Sequence, residues 1–268
     1  MRIPPRSGFV QLCVQADATS WRQQRALRYA ARCCRPAVGR LNSGASTLMT
    51  RLFTYTIPVD DGAAPNPFRG MCSLAICKPG IRRVAKPDDW IAGLGSKNAP
   101  SGDLSGHLVY AMRVEKVLLL KDYDQQAASN WPHRIPKVQS ADLSERLGDC
   151  IYDYSSGNAV QRSSVHGLGN VITDLAGLNV LISNDFYYFG NRAIPLPNCL
   201  LPICHQTQGH RSDSNAPYFD QFVSWLRSLN LSPGQMYGWP DFIVDWGTVS
   251  FRGGCTIRKI DDENDKPC

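Results

Sequence analysis

Apolar positions recur along this chain with two different periods, and the change of period marks out its elements. Leu52-Phe-Thr-Tyr-Thr-Ile57 alternates and is rich in β-branched and aromatic residues, which predicts a strand that Pro58 ends. His107-Leu-Val-Tyr-Ala-Met-Arg-Val114 predicts a second strand, with Leu108, Tyr110, Met112 and Val114 on one face and Val109, Ala111 and Arg113 on the other. Both faces are apolar near its centre, so a buried strand is expected rather than an edge. Between the two lies a short mixed apolar run from Met71 to Cys77, stopped by Lys78-Pro79-Gly80. It is followed by Asp88-Asp-Trp-Ile-Ala-Gly-Leu-Gly-Ser-Lys97, a strand opened by acids and closed by glycines. Leu178 to Ser183 reads as another strand, and Asp185-Phe-Tyr-Tyr-Phe-Gly190 gathers aromatics of the kind that fill a core or wall a pocket.

The helical period is clearest near the end. Phe219, Phe222, Val223, Leu226 and Leu229 share one face, with Asn215 expected as the cap, Pro217 in the first turn and Ser232-Pro-Gly234 as the stop. A shorter helix is expected from Lys121 to Ala128, irregular chain from Asn130 to Pro136, and a last strand at Phe242–Val244. The pattern predicts one α+β domain: a curved, mostly antiparallel sheet with an amphipathic helix towards the C-terminal end.

Charge changes that picture at one end. The 268 residues carry +6, but residues 1–48 hold eight arginines against the single acid Asp17. The rest of the chain therefore has 21 basic and 22 acidic residues. The body is not basic, which argues against strong nonspecific duplex binding, since counterion release needs several cations on one face. Residues 1–48 read as a disordered or non-native extension with synthesis starting at Met49, or as an Arg-rich transit-type segment. The body spans residues 49–250, and residues 251–268 form a polar tail. No run approaches the ~20 apolar residues that a transmembrane helix requires. Ten cysteines without a secretory signal point to reduced thiols in the cytoplasm.

The Asp88-Asp-Trp strand, the Gly93-x-Gly-Ser-Lys97 turn and the Leu108-Val-Tyr-Ala-Met strand make up a distinctive order. With Ala64-Pro-Asn-Pro-Phe68 before and Leu181-Ile-Ser-Asn-Asp-Phe-Tyr-Tyr-Phe-Gly190 after, it resembles the nucleotide modification associated domain 2 family from about Arg51 to Trp246. It has a weaker likeness to PUA and EVE barrels. The resemblance implies a bacterial or phage context, a PUA-like sheet, and handling of modified bases with a nucleotide or nucleic acid as partner and no membrane.

Cys199-x4-Cys204-His205-x4-His210 collects soft ligands, but adjacent Cys204 and His205 point oppositely in extended chain, so no metal is expected. Cys72 and Cys77, in apolar surroundings, read as small buried hydrophobes. A cysteine with distant His and Asp is a legitimate nucleophile pattern, but ten cysteines and five histidines always allow one to be nominated. No Walker loop, dinucleotide fingerprint, serine elbow, zincin or deaminase signature occurs, and no cofactor is called for.

A pocket for an extruded base needs stacking faces and a few polar groups. Lys78, Arg82, Arg83, Trp90, Ser96, Lys97 and Tyr110 are expected to supply them, with Asn66 presented by its flanking prolines. The alternative is an enzyme: His166 and His210 lie on polar, glycine-containing loops and would work with Asp149 or Asp185 as acid and base. A non-catalytic interaction module of a phage-related operon is the third reading. Convergence of the two histidines and a carboxylate within hydrogen-bond reach favours the enzyme, and a lone aromatic-walled pocket the binder.

Overall fold

The structure is a computed structural model and describes residues 50–205 and 209–241. The extension, the polar tail and the strand expected at Phe242–Val244 lie outside the described residues. The strands in chain order are β1 (Leu52–Ile57), β2 (Cys72–Leu74), β3 (Trp90–Gly95), β4 (His107–Arg113), β5 (Lys116–Leu119) and β6 (Tyr152–Asp153). They continue with β7 (Val160–Gln161), β8 (Asn179–Ser183), β9 (Phe186–Tyr188), β10 (Ile194–Pro195), β11 (His210–Arg211) and β12 (Gln235–Met236). The α-helices are α1 (Pro79–Val84), α2 (Leu120–Asn130), α3 (Leu143–Arg146), α4 (Val171–Leu175) and α5 (Phe219–Ser228).

The large sheet runs β11-β1-β3-β4-β9-β12, with β10 also on β4. It is mostly antiparallel, β1–β3 and β9–β12 being the parallel pairs, and the described strands leave it open rather than closed into a barrel. A second, antiparallel sheet has the order β2-β8-β5, and β6–β7 is a separate pair. Phe53, Tyr55 and Ile57 of β1 join Tyr110, Met112 and Tyr188 in a core that also takes Cys72, Leu74 and Leu181 from the second sheet. The opposite face of the large sheet buries Leu52, Trp90, Ala111 and Tyr187 against Phe222, Trp225 and Leu226 of α5. Burial of a large apolar side chain contributes about 1.5–3 kcal/mol, and these two faces account for most of the apolar interior.

Strand β4 is central, as its two apolar faces imply, but its alternation breaks. Gly93 pairs with Tyr110 and Leu94 with Leu108, so an irregularity at Val109 moves Leu108 to the α5 side while Tyr110 stays on the other. Helix α5 follows the apolar spacing from Phe219, yet Asn215 does not cap it. Asn215 is buried and donates instead to the Leu52 carbonyl and Thr54 Oγ1, 3.0 Å each, tying a preceding 3₁₀ turn to β1. Lys78-Pro79-Gly80 does not simply stop the preceding run. Lys78 is the N-cap of α1 and Pro79 its first residue, the position where a missing N–H costs nothing.

Candidate functional site

Three distant segments meet beside α1. Cys77 follows β2, His166 lies on the loop after β7, and Asp174 is in α4. His166 Nδ1 is 2.6 Å from Asp174 Oδ2, and His166 Nε2 is 3.4 Å from Cys77 Sγ. A carboxylate at Nδ1 keeps the proton there, which leaves Nε2 as the acceptor facing the thiol. The same carboxylate fixes the other partner too: Asp174 Oδ1 accepts the Cys77 N–H at 3.0 Å, and Oδ2 also accepts the Tyr152 hydroxyl at 3.1 Å. The Asp174 side chain is fully buried, the His166 side chain 9% exposed, and Cys77 half-buried. This is the arrangement of a nucleophile, a base and a group that orients the base.

The backbone at Cys77 is unusual. Cys77 has φ +55° and the next residue, Lys78, φ +41°, two consecutive left-handed residues neither of which is glycine. The buried guanidinium of Arg82 braces the bend: Nη1 donates to the Cys77 carbonyl at 3.1 Å, Nε to the Asn179 carbonyl at 2.7 Å, and Nη2 to the Gly177 carbonyl. Burial lowers its pKa to about 10, with Asp174 and Cys77 opposing that shift, so it remains a cation at neutral pH.

Two further carboxyls lie close by. Asp60 is buried, accepts the Tyr188 hydroxyl at 2.6 Å, and is pushed up to about 7, chiefly by burial. Asp61 is also raised by burial, against which the Ala63 N–H and the nearby His166 act. Tyr55 and Tyr110 share a hydroxyl–hydroxyl bond of 2.9 Å, and burial raises both well above the usual tyrosine value.

Of the residues singled out from sequence, His166 enters this cluster, but neither Asp149 nor Asp185 is its partner. Asp149 is wholly buried, accepts Ser73 Oγ at 2.6 Å and Tyr123 Oη at 2.7 Å, and lies 3.9 Å from the Arg134 guanidinium. Asp185 joins Arg113 and Arg227, at 2.9 and 2.6 Å, and so locks α5 to β4. His210 is on the exposed edge strand β11, its ring 5.8 Å from that of Phe53 and against Gly80 of α1.

The expected stacking faces turn inward. Trp90 is 3% exposed, packs edge-on to Phe222 and lies under Arg227, while Tyr110 is fully buried. Asn66 is not presented to solvent either: it pairs with Ser73 through the backbone, its Nδ2 donates to the Leu147 carbonyl at 2.8 Å, and its Oδ1 accepts from Arg134. Ser96 and Lys97 occupy the turn after β3, where Ser96 Oγ accepts the Asn98 N–H. Lys78 is half-buried with its ammonium 4.7 Å from the centre of the Tyr55 ring. Among the described residues no three His, Cys, Asp or Glu side chains gather closely enough to hold a metal, and no helix is long and apolar enough to cross a membrane.

From sequence, Cys77 reads as a small buried hydrophobe and Asp174 is not singled out. Cys72 is the small buried hydrophobe expected, with its thiol pushed up by burial, but Cys77 is not. Its signal was the cysteine immediately before a Lys-Pro-Gly helix start, read only as a stop. In comparisons with known proteins, the nucleotide modification associated domain 2 model matches residues 49–246. No curated protein and no solved structure matches the chain.

Proposed function

The chain belongs to the nucleotide modification associated domain 2 family, and from that premise we propose that it is an enzyme of nucleotide or base modification with Cys77 as its nucleophile. The observation that carries the reading is the line Cys77 Sγ, His166, Asp174, held at 3.4 and 2.6 Å, with the Cys77 amide bonded to the same carboxylate. His166 Nε2 takes the thiol proton, and the thiolate Sγ forms a bond to an electrophilic carbon of the base or of a group attached to it. As it forms, the bond from that carbon to its leaving atom breaks, the electron pair going to that atom. The imidazolium then returns the proton to the leaving atom. Asp174 holds the imidazole in the required tautomer and stabilises its charged form, acting through His166 rather than on the substrate. The enzyme must first bind a nucleotide or base, so this reading includes a nucleotide-binding role. The inward placement of Trp90 and Tyr110 weighs against a separate binding surface on β3 and β4.

The test is conversion. The full chain is incubated with mononucleotides and with oligonucleotides carrying different modified bases. Nucleosides are then analysed by mass spectrometry, and the intact protein is weighed for a covalent adduct. A product or adduct that disappears in both Cys77→Ser and Cys77→Ala supports the assignment. A product formed equally by folded Cys77→Ala rules the nucleophile out.

A further inference from the structure

Basic side chains collect around the first turn of α1, which begins two residues after Cys77. Lys78 follows Cys77 in sequence, and its ammonium lies over the Tyr55 ring rather than against a carboxylate. The imidazole of His210 rests on Gly80, where a Cβ would stand 2.9 Å from Cε1, so glycine is what lets the ring approach the helix. Arg83 is three residues beyond Gly80 and so on the same side of the helix. It is exposed, and its side chain makes a long 3.4 Å hydrogen bond to the Ala176 carbonyl. His205 and Arg211 lie on the segments either side of His210.

Elsewhere in the body the arginines are largely matched to acids. Arg51, Arg69, Arg113, Arg162 and Arg227 each make an ion pair of 2.9 Å or shorter. Among the described residues Lys78, Arg83 and Arg211 make none, as is also true of Arg82, Arg146, Arg192 and every lysine except Lys137, so what sets this group apart is its clustering at one helix turn. The consequence registers on His210, whose proton affinity is lowered first by burial and then by the charges of His205, Lys78 and Arg83. Mutually repelling donors around a left-handed turn are stabilised by an anion that accepts from all of them.

We propose that Lys78, Arg83 and His210 form a phosphate subsite flanking Cys77, so that the substrate presented to the thiol is a phosphorylated nucleotide, free or within a nucleic-acid strand, rather than a base or nucleoside. The inference rests on the reading of Cys77 as nucleophile and adds the substrate class. A lone phosphate subsite suits a body without net positive charge, because it needs local cations and no extended basic face.

The test compares two alkylating reagents of similar size, neutral iodoacetamide and anionic iodoacetate. Peptide mass spectrometry reads their rates at Cys77 in the full chain at low salt. Both reagents need the same thiolate, so the iodoacetate-to-iodoacetamide ratio cancels any change in thiolate fraction. The subsite predicts a ratio roughly threefold to tenfold above that of an unstructured peptide bearing the same cysteine. The excess should vanish in Lys78→Gln/Arg83→Gln and be screened by high salt. Inorganic phosphate and deoxynucleoside monophosphates should slow the anionic reagent, and deoxynucleosides should not. Stronger protection by short single-stranded DNA than by mononucleotides assigns the phosphate to a strand, and the reverse order to a free nucleotide. A wild-type ratio equal to that of the peptide, or one unchanged in the double variant, overturns the subsite while leaving the nucleophile in place. A folded protein whose Cys77 resists both reagents removes the nucleophile and the subsite together.

Discussion

Replacing Asp60 by asparagine should stabilise the protein at alkaline pH relative to acid pH. Asp60 is 5% exposed and its carboxyl is pushed up to about 7, mainly by burial, although the Tyr188 hydroxyl and the Gly62 N–H work in the other direction. In the unfolded chain an aspartate titrates near 3.9. Between those two values the folded protein keeps a proton that the unfolded chain has released, so stability is full below about pH 4 and declines as pH rises through about 7. A rise of about three pH units corresponds to about 4 kcal/mol, and partial access of water reduces this to about 2–4 kcal/mol. Asparagine cannot ionise, and its amide oxygen still accepts from Tyr188. Urea unfolding of wild type and Asp60→Asn from pH 4 to pH 8 measures the difference directly. Comparing the two proteins across pH cancels both the other titrating groups and any fixed cost of the amide nitrogen. The variant should gain about 2–4 kcal/mol on wild type over that range. Stability curves that run parallel would show that Asp60 ionises freely and that burial does not hold it protonated.

Other outcomes follow from the same interior. Arg82→Ala should lower stability by about 2–4 kcal/mol in urea unfolding, because a buried carbonyl left without a donor costs roughly 1–3 kcal/mol and the two part-buried ones less. Lysine should restore only part of this, since one ammonium does not span the guanidinium's fork. Trp90→Ala should cost about 3–5 kcal/mol by opening a cavity beside Phe222, and calorimetry will register it whether or not a nucleotide is present. Asp174→Asn should leave the circular dichroism spectrum in place but lower Cys77-dependent turnover by roughly 10²–10⁴, with a displaced pH–rate profile.

Much of the framework is written locally. Leu52–Ile57 is a strand with the bounds its alternation implies, and the apolar face from Phe219 packs as α5 on the sheet. These elements are legible because a period of two or of 3.6 is a property of neighbouring residues. The irregularity at Val109 was not legible, since it depends on how Gly93 and Leu94 of a separate strand pair with β4. Asn215 was expected as a helix cap because its type favours that role, but β1 offered better-buried partners. The site was harder still. Asp174 lies 97 residues from Cys77, and nothing in their separation says that one carboxylate binds both the Cys77 amide and the His166 ring. Asp149 and Asp185 were nominated as partners of the loop histidines, whereas the fold commits them to Arg134 and to the Arg113–Arg227 pair. Aromatic residues in a strand looked like stacking faces because exposure is a tertiary quantity. The left-handed turn at Cys77 is likewise visible only in the fold.

The central claim is that His166 activates the Cys77 thiol, and the pH dependence of Cys77 alkylation tests it most directly. Iodoacetamide labelling of that cysteine is followed by mass spectrometry from pH 5 to pH 10 in wild type and in His166→Ala, with folding checked by circular dichroism. An unassisted thiol reacts appreciably only as it approaches a pKa near 8.5. The account predicts labelling of wild type at pH 6.5 that is at least roughly tenfold faster than that of His166→Ala, with the two converging above about pH 9, where any exposed thiol is ionised. Superimposable profiles in two folded proteins would contradict it and reduce the contact between Cys77 and His166 to packing.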